Sequence, residues 1–278
     1  MLSLIVSVLA GVFGALGICI IGGGHWGWGI FLGIVIFFAV LILLSRHFGK
    51  KLQGVAEQVQ VQIGESQSDA QRIINRFQSK PSSQKVLQSQ VEKVMEAGVV
   101  QALETLDGAS PIFKWNVLAE RQINTLKMQL NFQIKRFEEA DRLMSKILIL
   151  EPLTLAMKMT RQYHNDDKGL EKSFRKGVKK FKYEKATLIY SVYAWMLLKR
   201  KAIDEALEVL TEAKDKTENE GVAKNWQHVA NNKVHLYSNT ALGEQWYALH
   251  LEQPPKAKAS KGQAKNHPMA QKGRRKYR

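Results

Sequence analysis

The stretch of sequence that decides the fold is residues 2–44, which read LSLIVSVLAGVFGALGICIIGGGHWGWGIFLGIVIFFAVLILL. No Asp, Glu, Lys or Arg interrupts it. At a rise of about 1.5 Å per residue, roughly 20 apolar residues in a helix cross the hydrocarbon core of a bilayer. The stretch therefore predicts two transmembrane helices joined by a glycine-rich turn: residues 2–21, and a second helix that begins at Trp26 or Trp28 and ends at Leu44.

The charges beside this hairpin predict its orientation. Arg46, Lys50 and Lys51 follow the second span, whereas the turn carries no ionisable residue except His25. Basic residues favour the cytoplasmic side, so both termini are expected in the cytoplasm. A cleaved signal peptide is disfavoured, because no Lys or Arg precedes the first apolar segment and a second span follows at once. We expect residues 1–45 to anchor the protein in a bacterial inner membrane.

Residues 46–110 are predicted to form helices outside the bilayer. Over residues 52–77, apolar or small residues recur at alternating spacings of four and three, as in a heptad repeat. The positions of this seam are Leu52, Ala56, Val59, Ile63, Ser66, Ala70, Ile73 and Phe77. The pattern is typical of a coiled coil that would make the protein a homodimer, or of an amphipathic helix packed on its own soluble domain or on the bilayer. Pro81 ends the pattern, a further helix is predicted to about Leu106, and the sequence DGASP at residues 107–111 marks a domain boundary.

After residue 111 the chain reads as successive helices, with almost no alternating strand pattern. Two segments share an arrangement of small and large apolar residues: FEEADRLMSKILILEP at residues 137–152 and IDEALEVLTEA at residues 203–213. Ala140 and Ala206 are the small residues at which paired helices cross closely. These segments resemble the second helix of a tetratricopeptide repeat, and they begin about two periods of that family apart.

The resemblance to the tetratricopeptide (TPR) family implies an array of helical hairpins over residues 118–254, with one unit between the two matched segments and a fourth helix pair after them. The two helices of this fourth pair are expected over residues 222–237 and about 240–251. Met128 and Arg161 stand where that family usually has Gly or Ala, and a plain helical bundle is the alternative. The predicted fold class is therefore all-α: a transmembrane helical hairpin, a juxtamembrane helix, then a TPR-like helical-hairpin array over residues 111–255.

In TPR proteins the first helices of the hairpins line a concave surface that binds peptides or proteins. By resemblance, the groove candidates in this chain are Asn124, Lys127, Asn131, Arg161, Tyr190, Tyr193, Asn231 and Asn232. Basic side chains at such positions would bind a carboxylate, and Asn side chains would hydrogen-bond an extended backbone.

Two basic regions contribute to the net charge of +16. The predicted helix after Asp167 is basic on the side opposite its apolar face, at Lys172, Arg175, Lys176, Lys179 and Lys180. Residues 256–278 form a basic tail with scarcely any large apolar residue, so it is predicted to be disordered. Its candidate residues are Lys272, Arg274, Arg275, Lys276 and Arg278. Both regions fit a polyanion, either RNA or the ribosome or anionic lipid, and both also fit a merely solvated surface.

Enzymatic chemistry finds little support in the sequence. It contains no P-loop, no GxSxG motif and no HExxH motif. Cys19 is the only cysteine and lies in the first span, which rules out a disulfide or a cysteine-based zinc site within one chain. The clusters nearest to a metal-ligand set are His164 with Asp166 and Asp167, and His228 with His235. We expect no catalytic residue, no metal and no cofactor.

The sequence thus supports two hypotheses of different classes. The first is a membrane-anchored, TPR-like adaptor or scaffold that binds partner proteins or peptides at the cytoplasmic face of the membrane. The alternative is a tether for ribosomes, RNA or anionic lipid that acts through the basic tail and the basic helix.

Overall fold

A computed structural model describes residues 2–21, 26–79, 84–115 and 117–254. Within these ranges the chain forms helices, turns and loops, with no strand, so the predicted all-α class is confirmed. The helices are α1 (Leu2–Ile21), α2 (Trp26–Ser79), α3 (Gln84–Gly108), α4 (Ser110–Phe113), α5 (Val117–Gln133), α6 (Phe137–Leu143), α7 (Pro152–His164), α8 (Leu170–Lys180), α9 (Thr187–Lys199), α10 (Ile203–Thr217), α11 (Glu220–Ala230) and α12 (Glu244–Tyr247). The predicted disordered tail, residues 256–278 with its basic candidates, lies outside the described residues.

Helix α1 and the first part of α2 are long and apolar enough to cross a membrane. They pack closely through small residues: a Cβ atom on Gly33 would lie 2.7 Å from the Ala15 Cβ and 2.8 Å from the Gly11 carbonyl oxygen. Such close approach of the backbones supports helix association where lipid supplies no hydrophobic force. The outer surface is apolar, and Phe13 is 69% exposed. This arrangement suits a hydrocarbon environment better than water.

Helix α2 continues far beyond the predicted end of the second span. It is a single helix of 54 residues, about 80 Å long at 1.5 Å per residue. Residues 45–51, between the span and the heptad seam, contain no proline, and the one glycine, Gly49, weakens a helix by only about 1 kcal/mol. The second span and the juxtamembrane helix, which the sequence analysis treats separately, are therefore one element.

The heptad seam of α2 packs against α3 of the same chain. Val59, Ser66 and Ala70 are buried on this side. Gly98 of α3 lies so close to Ser66 that a Cβ atom on Gly98 would be 1.6 Å from the Ser66 Oγ. Of the two interpretations of the seam, packing within the chain is the one observed. A coiled-coil homodimer through this seam would require α3 to move away.

Two hydrophobic clusters form the core of the chain that follows the apolar hairpin. One lies between α2, α3 and α5 and includes Leu106, and the other extends from α5 to the last described residues and includes Trp246. Helix α5 contributes to both, with Ile123 in the first cluster and Phe132 in the second. The packing is therefore continuous across residue 110, where the sequence analysis places a domain boundary.

From α5 onward, helices that follow each other in sequence pack as pairs: α5 with α6, α7 with α8, and α9 with α10. Ala140 and Ala206 are fully buried, as expected for residues at close helix crossings. The predicted fourth pair differs. Helix α11 is followed by two short 3₁₀ turns and the four-residue α12, so the helix expected over residues 240–251 does not form. Gly243, at φ +58°, interrupts the helical backbone there.

Candidate functional site

The groove candidates on α5 are largely engaged within the chain. Asn124 and Asn131 are buried, and the Asn131 Nδ2 donates a hydrogen bond of 2.8 Å to the Lys127 carbonyl oxygen. The Lys127 ammonium pairs with Asp107 at the end of α3. Lys127 thus joins α5 to α3, whereas the Asn131 hydrogen bond lies within α5.

Arg161 of α7 is bound to α6. Its Nε and Nη2 donate to the two carboxylate oxygens of Asp141 at 2.9 and 2.8 Å, and its guanidinium lies 4.5 Å from the centroid of the Phe137 ring. Burial by itself would raise the pKa of Asp141, but hydrogen bonds from Arg161 and Asn165 lower that pKa below its ordinary value. Hydrogen bonding to Asp141 raises the pKa of Arg161 in turn. The pair is thus a charged link between two consecutive helix pairs.

The two tyrosines of α9 are also internal. The Tyr190 hydroxyl donates to Glu212 Oε1 at 3.0 Å, and Lys216 donates to the same oxygen at 2.6 Å. Burial would raise the pKa of Glu212, but the hydrogen bonds from Lys216 and Tyr190 lower it. The Tyr193 ring stacks on Phe174, with centroids 4.1 Å apart. Burial raises the pKa of both tyrosines, so both hydroxyls remain protonated at physiological pH.

Helix α9, which carries two of the groove candidates, lies in the interior of the described chain. Its eleven residues Thr187 to Leu197 are all buried. It contacts α7, α8 and α10, and residues 234–254, here called the C-terminal segment, contact it through Tyr237, Trp246 and Glu252. The sequence TLIYSVYAWMLLK is apolar on every side, and a helix that is hydrophobic all round is a buried helix. That signal was present in the sequence and argues against a groove-lining role for α9.

One carboxylate holds the C-terminal segment on α9. The indole Nε1 of Trp195 donates to Glu252 Oε1 at 2.7 Å, and the indole Nε1 of Trp246 donates to Glu252 Oε2 at 2.8 Å. The two indole rings contact each other edge to face, with centroids 5.9 Å apart. Trp246 is fully buried. Sequence analysis missed this set, because the three residues carry no motif and meet only in the folded chain.

The same segment reaches back to α5. The His250 ring stacks on Phe132 with centroids 5.5 Å apart, and its Nε2 lies 3.2 Å from the Phe132 carbonyl oxygen. Burial and the nearby charge of Lys135 lower the pKa of His250. The C-terminal segment therefore contacts both α9 and α5.

Of the groove candidates, Asn231 and Asn232 are the exposed ones. Both follow the end of α11, where the Asn231 Nδ2 donates to the Gln227 carbonyl oxygen at 2.8 Å and Asn232 adopts φ +57°. They lie at the end of a helix rather than along a groove. The eight candidates are therefore not brought together into one binding surface.

The basic side of α8 is exposed, as predicted. Leu170 and Phe174 face the core, while the exposed residues are Lys172, Arg175, Lys176, Lys179 and Lys180. Arg175 pairs with Glu212 at 3.3 Å, and Lys180 donates to the Ile149 carbonyl oxygen. Among the described residues, Lys172, Lys176 and Lys179 have no ion-pair partner. Their spacing of four and three places them along one stripe of the helix.

The two histidine clusters do not assemble as metal sites. Asp166 pairs with Arg200 at 2.8 Å, and Asp167 accepts a hydrogen bond of 2.7 Å from the Gly169 N–H. Over the ranges that the structure describes, no group of three or more His, Cys, Asp or Glu side chains could hold a metal ion.

Comparison with protein-family models, with curated proteins and with solved structures gives no match to this chain. The function of the chain is therefore inferred from the placement of its own residues.

Proposed function

We propose that the protein is a membrane-anchored, TPR-like adaptor that binds partner proteins at the cytoplasmic face of a bacterial inner membrane. The observation that carries this proposal is the continuity of α2, which runs from the apolar hairpin into the core of the soluble part. A continuous helix that shares a hydrophobic cluster with α5 holds the helical body at a fixed distance and orientation. A scaffold at a membrane requires that property, whereas a flexible tether does not supply it.

The charges at the base of the hairpin support the cytoplasmic orientation. Arg46, Lys50 and Lys51 are exposed and follow the apolar part of α2 directly. The positive-inside rule favours retention of such residues on the cytoplasmic side. On this proposal the helix pairs after α4 are cytoplasmic as well.

On this proposal partners bind exposed residues of the helix pairs, because the groove candidates on α5, α7 and α9 are buried or half-buried within the chain. Two exposed sites remain from the sequence analysis: Asn231 with Asn232, and the stripe of Lys172, Lys176 and Lys179. The stripe complements an acidic segment of a partner, since unpaired ammonium groups form charge-assisted hydrogen bonds with carboxylates.

Site-specific photo-crosslinking in native membranes tests the adaptor. A photoreactive amino acid replaces Asn232 or Lys176 in the full chain, and Gln90, which is exposed on α3, serves as the control position. We expect discrete adducts with another protein from Asn232 or Lys176 and none from Gln90. The same adduct pattern at all three positions, or no adduct at the first two, contradicts the proposal.

A second candidate function is supported by the unpaired lysines of α8: a tether for RNA or ribosomes. The test variant combines Lys172→Glu, Lys176→Glu and Lys179→Glu. It is made with and without deletion of residues 256–278. The matched control combines Lys93→Glu, Lys224→Glu and Lys233→Glu, which are exposed elsewhere.

Co-sedimentation with ribosomes is measured against salt concentration. If the stripe and the tail contact phosphates, the first combination weakens binding and reduces the slope of log K against log salt by about 0.7 to 0.9 per lost contact. The control combination should change the slope less. Equal slopes for wild type and for the tail-deleted triple variant would remove this candidate.

A further inference from the structure

The structure contains an apolar cavity of about 240 Å³ between α2, the end of α3, α5 and residues 148–154. We call it the juxtamembrane cavity. Apolar residues that line it include Leu52, Val55, Ala56, Leu126, Leu148 and Leu150. An apolar cavity of about 150 Å³ in an engineered protein stays dry and binds benzene. The juxtamembrane cavity is larger, and it has room for a hydrocarbon group.

Three of the five polar side chains in the wall of this cavity, Thr125, Gln129 and Thr154, are hydrogen-bonded within the chain, and the other two, Gln122 and Glu151, belong to exposed residues. The Thr125 Oγ1 donates to the Arg121 carbonyl oxygen at 2.7 Å and accepts from the Leu148 N–H at 2.9 Å. The Gln129 Nε2 donates to the Thr154 Oγ1 at 2.8 Å. A polar ligand would find these groups occupied, so the cavity favours an apolar occupant.

The cavity lies at the base of the apolar hairpin. The Leu2 N–H donates to the Lys114 carbonyl oxygen at 2.9 Å, and the Phe48 ring stacks on Trp115 with centroids 4.8 Å apart. The start of α1, the end of the apolar part of α2 and the residues before α5 are therefore at one level. Leu52 follows Phe48 by one helical turn, about 6 Å along the axis.

Exposed apolar side chains flank the cavity. Leu118, one turn before Gln122 of the cavity wall, and Leu150, in the wall itself, are each 58% exposed. Exposed leucines beside an apolar cavity mark an interaction surface. At the base of a membrane hairpin, the apolar material within reach is the lipid.

A cation lies on the same side of α2. Lys51 follows Phe48 by three residues and precedes Val55 by four, so the three share one face of the helix. The Lys51 ammonium is 5.8 Å from the Phe48 ring centroid, and the residue is exposed. A basic residue at this level attracts an anionic headgroup.

We propose that the juxtamembrane cavity binds one hydrocarbon chain of an anionic membrane lipid, whose headgroup lies at Lys51. This inference rests on the membrane anchor of the proposed function. The bound lipid would fix α5, and through it the helical body, against the membrane surface.

The test uses the full chain in vesicles that contain phosphatidylglycerol with a diazirine near the end of one acyl chain. After illumination, lipid adducts are located by mass spectrometry. We expect adducts at Leu52, Val55, Leu126 or Leu148 in addition to those in the apolar helices. Ala56→Phe fills the cavity and should reduce the cavity adducts at least fivefold. Val61→Phe, on an exposed side of the same helix, should leave them unchanged.

The headgroup is tested by comparing Lys51→Gln with Lys50→Gln. We expect Lys51→Gln to lower labelling by the phosphatidylglycerol probe at least threefold, without lowering labelling by the corresponding phosphatidylcholine probe. Lys50→Gln should change neither. Equal labelling of wild type and Lys51→Gln by the anionic probe contradicts the headgroup assignment.

Wild-type adducts confined to α1 and residues 26–44 overturn the proposal whatever the variants show. Circular dichroism checks that Ala56→Phe keeps the wild-type helicity, and Leu126→Phe provides a second filling variant. The same vesicles are washed with alkaline carbonate. A chain that stays in the vesicles without cavity adducts contradicts only the lipid site, whereas a chain that is released contradicts the membrane anchor.

Discussion

At the residue scale, Glu252 is a side chain that links the C-terminal segment to α9. Its two carboxylate oxygens accept from two indole N–H groups, one on α9 and one on α12. Trp246 is fully buried and Trp195 is nearly so. An indole ring can donate a hydrogen bond but cannot accept one, so both N–H groups depend on Glu252 as their acceptor.

Glu252→Gln should destabilise the folded chain by about 1–3 kcal/mol, because an amide presents only one oxygen and its NH₂ group would face the second indole N–H. Chemical denaturation of the full chain, followed by tryptophan fluorescence, measures the change. Glu208→Gln, at an exposed position on α10, is the matched control and should stay within about 0.5 kcal/mol. A Glu252→Gln variant as stable as the control would contradict this role for the carboxylate.

His250 gives the packing of the same segment a pH dependence. Burial and Lys135 lower its pKa from the ordinary 6.5. The unfolded chain therefore binds this proton at a higher pH than the folded chain does, and stability increases with pH in that interval. The contribution is complete above about pH 6.5 and is lost as the pH falls through the folded-state pKa.

Denaturation midpoints measured between pH 7.5 and 5 should fall as the solution is acidified. In His250→Asn this part of the decrease should disappear, while the same substitution at the exposed His235 should leave the profile as in wild type. Parallel profiles for wild type and His250→Asn would show that His250 is not responsible.

At the element scale, the contact between α2 and α3 depends on a glycine. The heptad seam correctly predicts which side of α2 is buried, because periodicity is a local property of the sequence. It does not identify the partner, since the same seam fits α3 or a second copy of the chain. Gly98 decides between them in the folded protein, because it allows α3 to approach Ser66 directly.

Gly98→Ala should separate α2 from α3 and cost about 1–3 kcal/mol by overpacking. The new Cβ would lie 1.6 Å from the Ser66 Oγ and 2.5 Å from the Ser66 Cβ, so Ser66→Gly in the same chain should restore part of the loss. Gly64→Ala, with no atom within 4 Å of the added Cβ, should instead stabilise the helix by up to about 1 kcal/mol.

Hydrogen exchange of the amides in α2 and α3 measures these effects in the full chain. Faster exchange in Gly98→Ala and partial recovery in the double variant are the expected results. Equal exchange in Gly98→Ala and Gly64→Ala would contradict the close contact.

At the scale of the whole molecule, α5 packs in both hydrophobic clusters, and we expect it to couple them into one cooperative unit. Ile123 is fully buried against α2 and α3, and Phe132 is fully buried against the helix pairs. We expect Ile123→Ala to destabilise both parts by about 2–4 kcal/mol and to shift one common transition.

Helicity and tryptophan fluorescence should then report the same midpoint, in wild type and in the variant. Val61→Ala, on an exposed part of α2, should change the midpoint little. Two separate transitions, with only the one that involves α2 and α3 affected by Ile123→Ala, would show that the two clusters unfold independently.

The sequence by itself determined the properties that depend on local composition and periodicity. These are the two helices apolar enough for a membrane, the all-helical class, the buried side of α2 and the exposed basic side of α8. The all-round apolar sequence of α9 belongs with them, although the resemblance to the TPR family led instead to Tyr190 and Tyr193 as groove residues. Each of these properties can be evaluated within a window of about 20 residues.

Only the tertiary structure decided which other segments of the chain those surfaces contact. Trp195 and Glu252 are 57 residues apart in the chain and are joined by a hydrogen bond, and His250 contacts Phe132 across 118 residues. The cavity beside Leu52 likewise forms from segments on both sides of α3. Contacts between residues so distant in sequence leave no local pattern, because they are set by how whole helices pack.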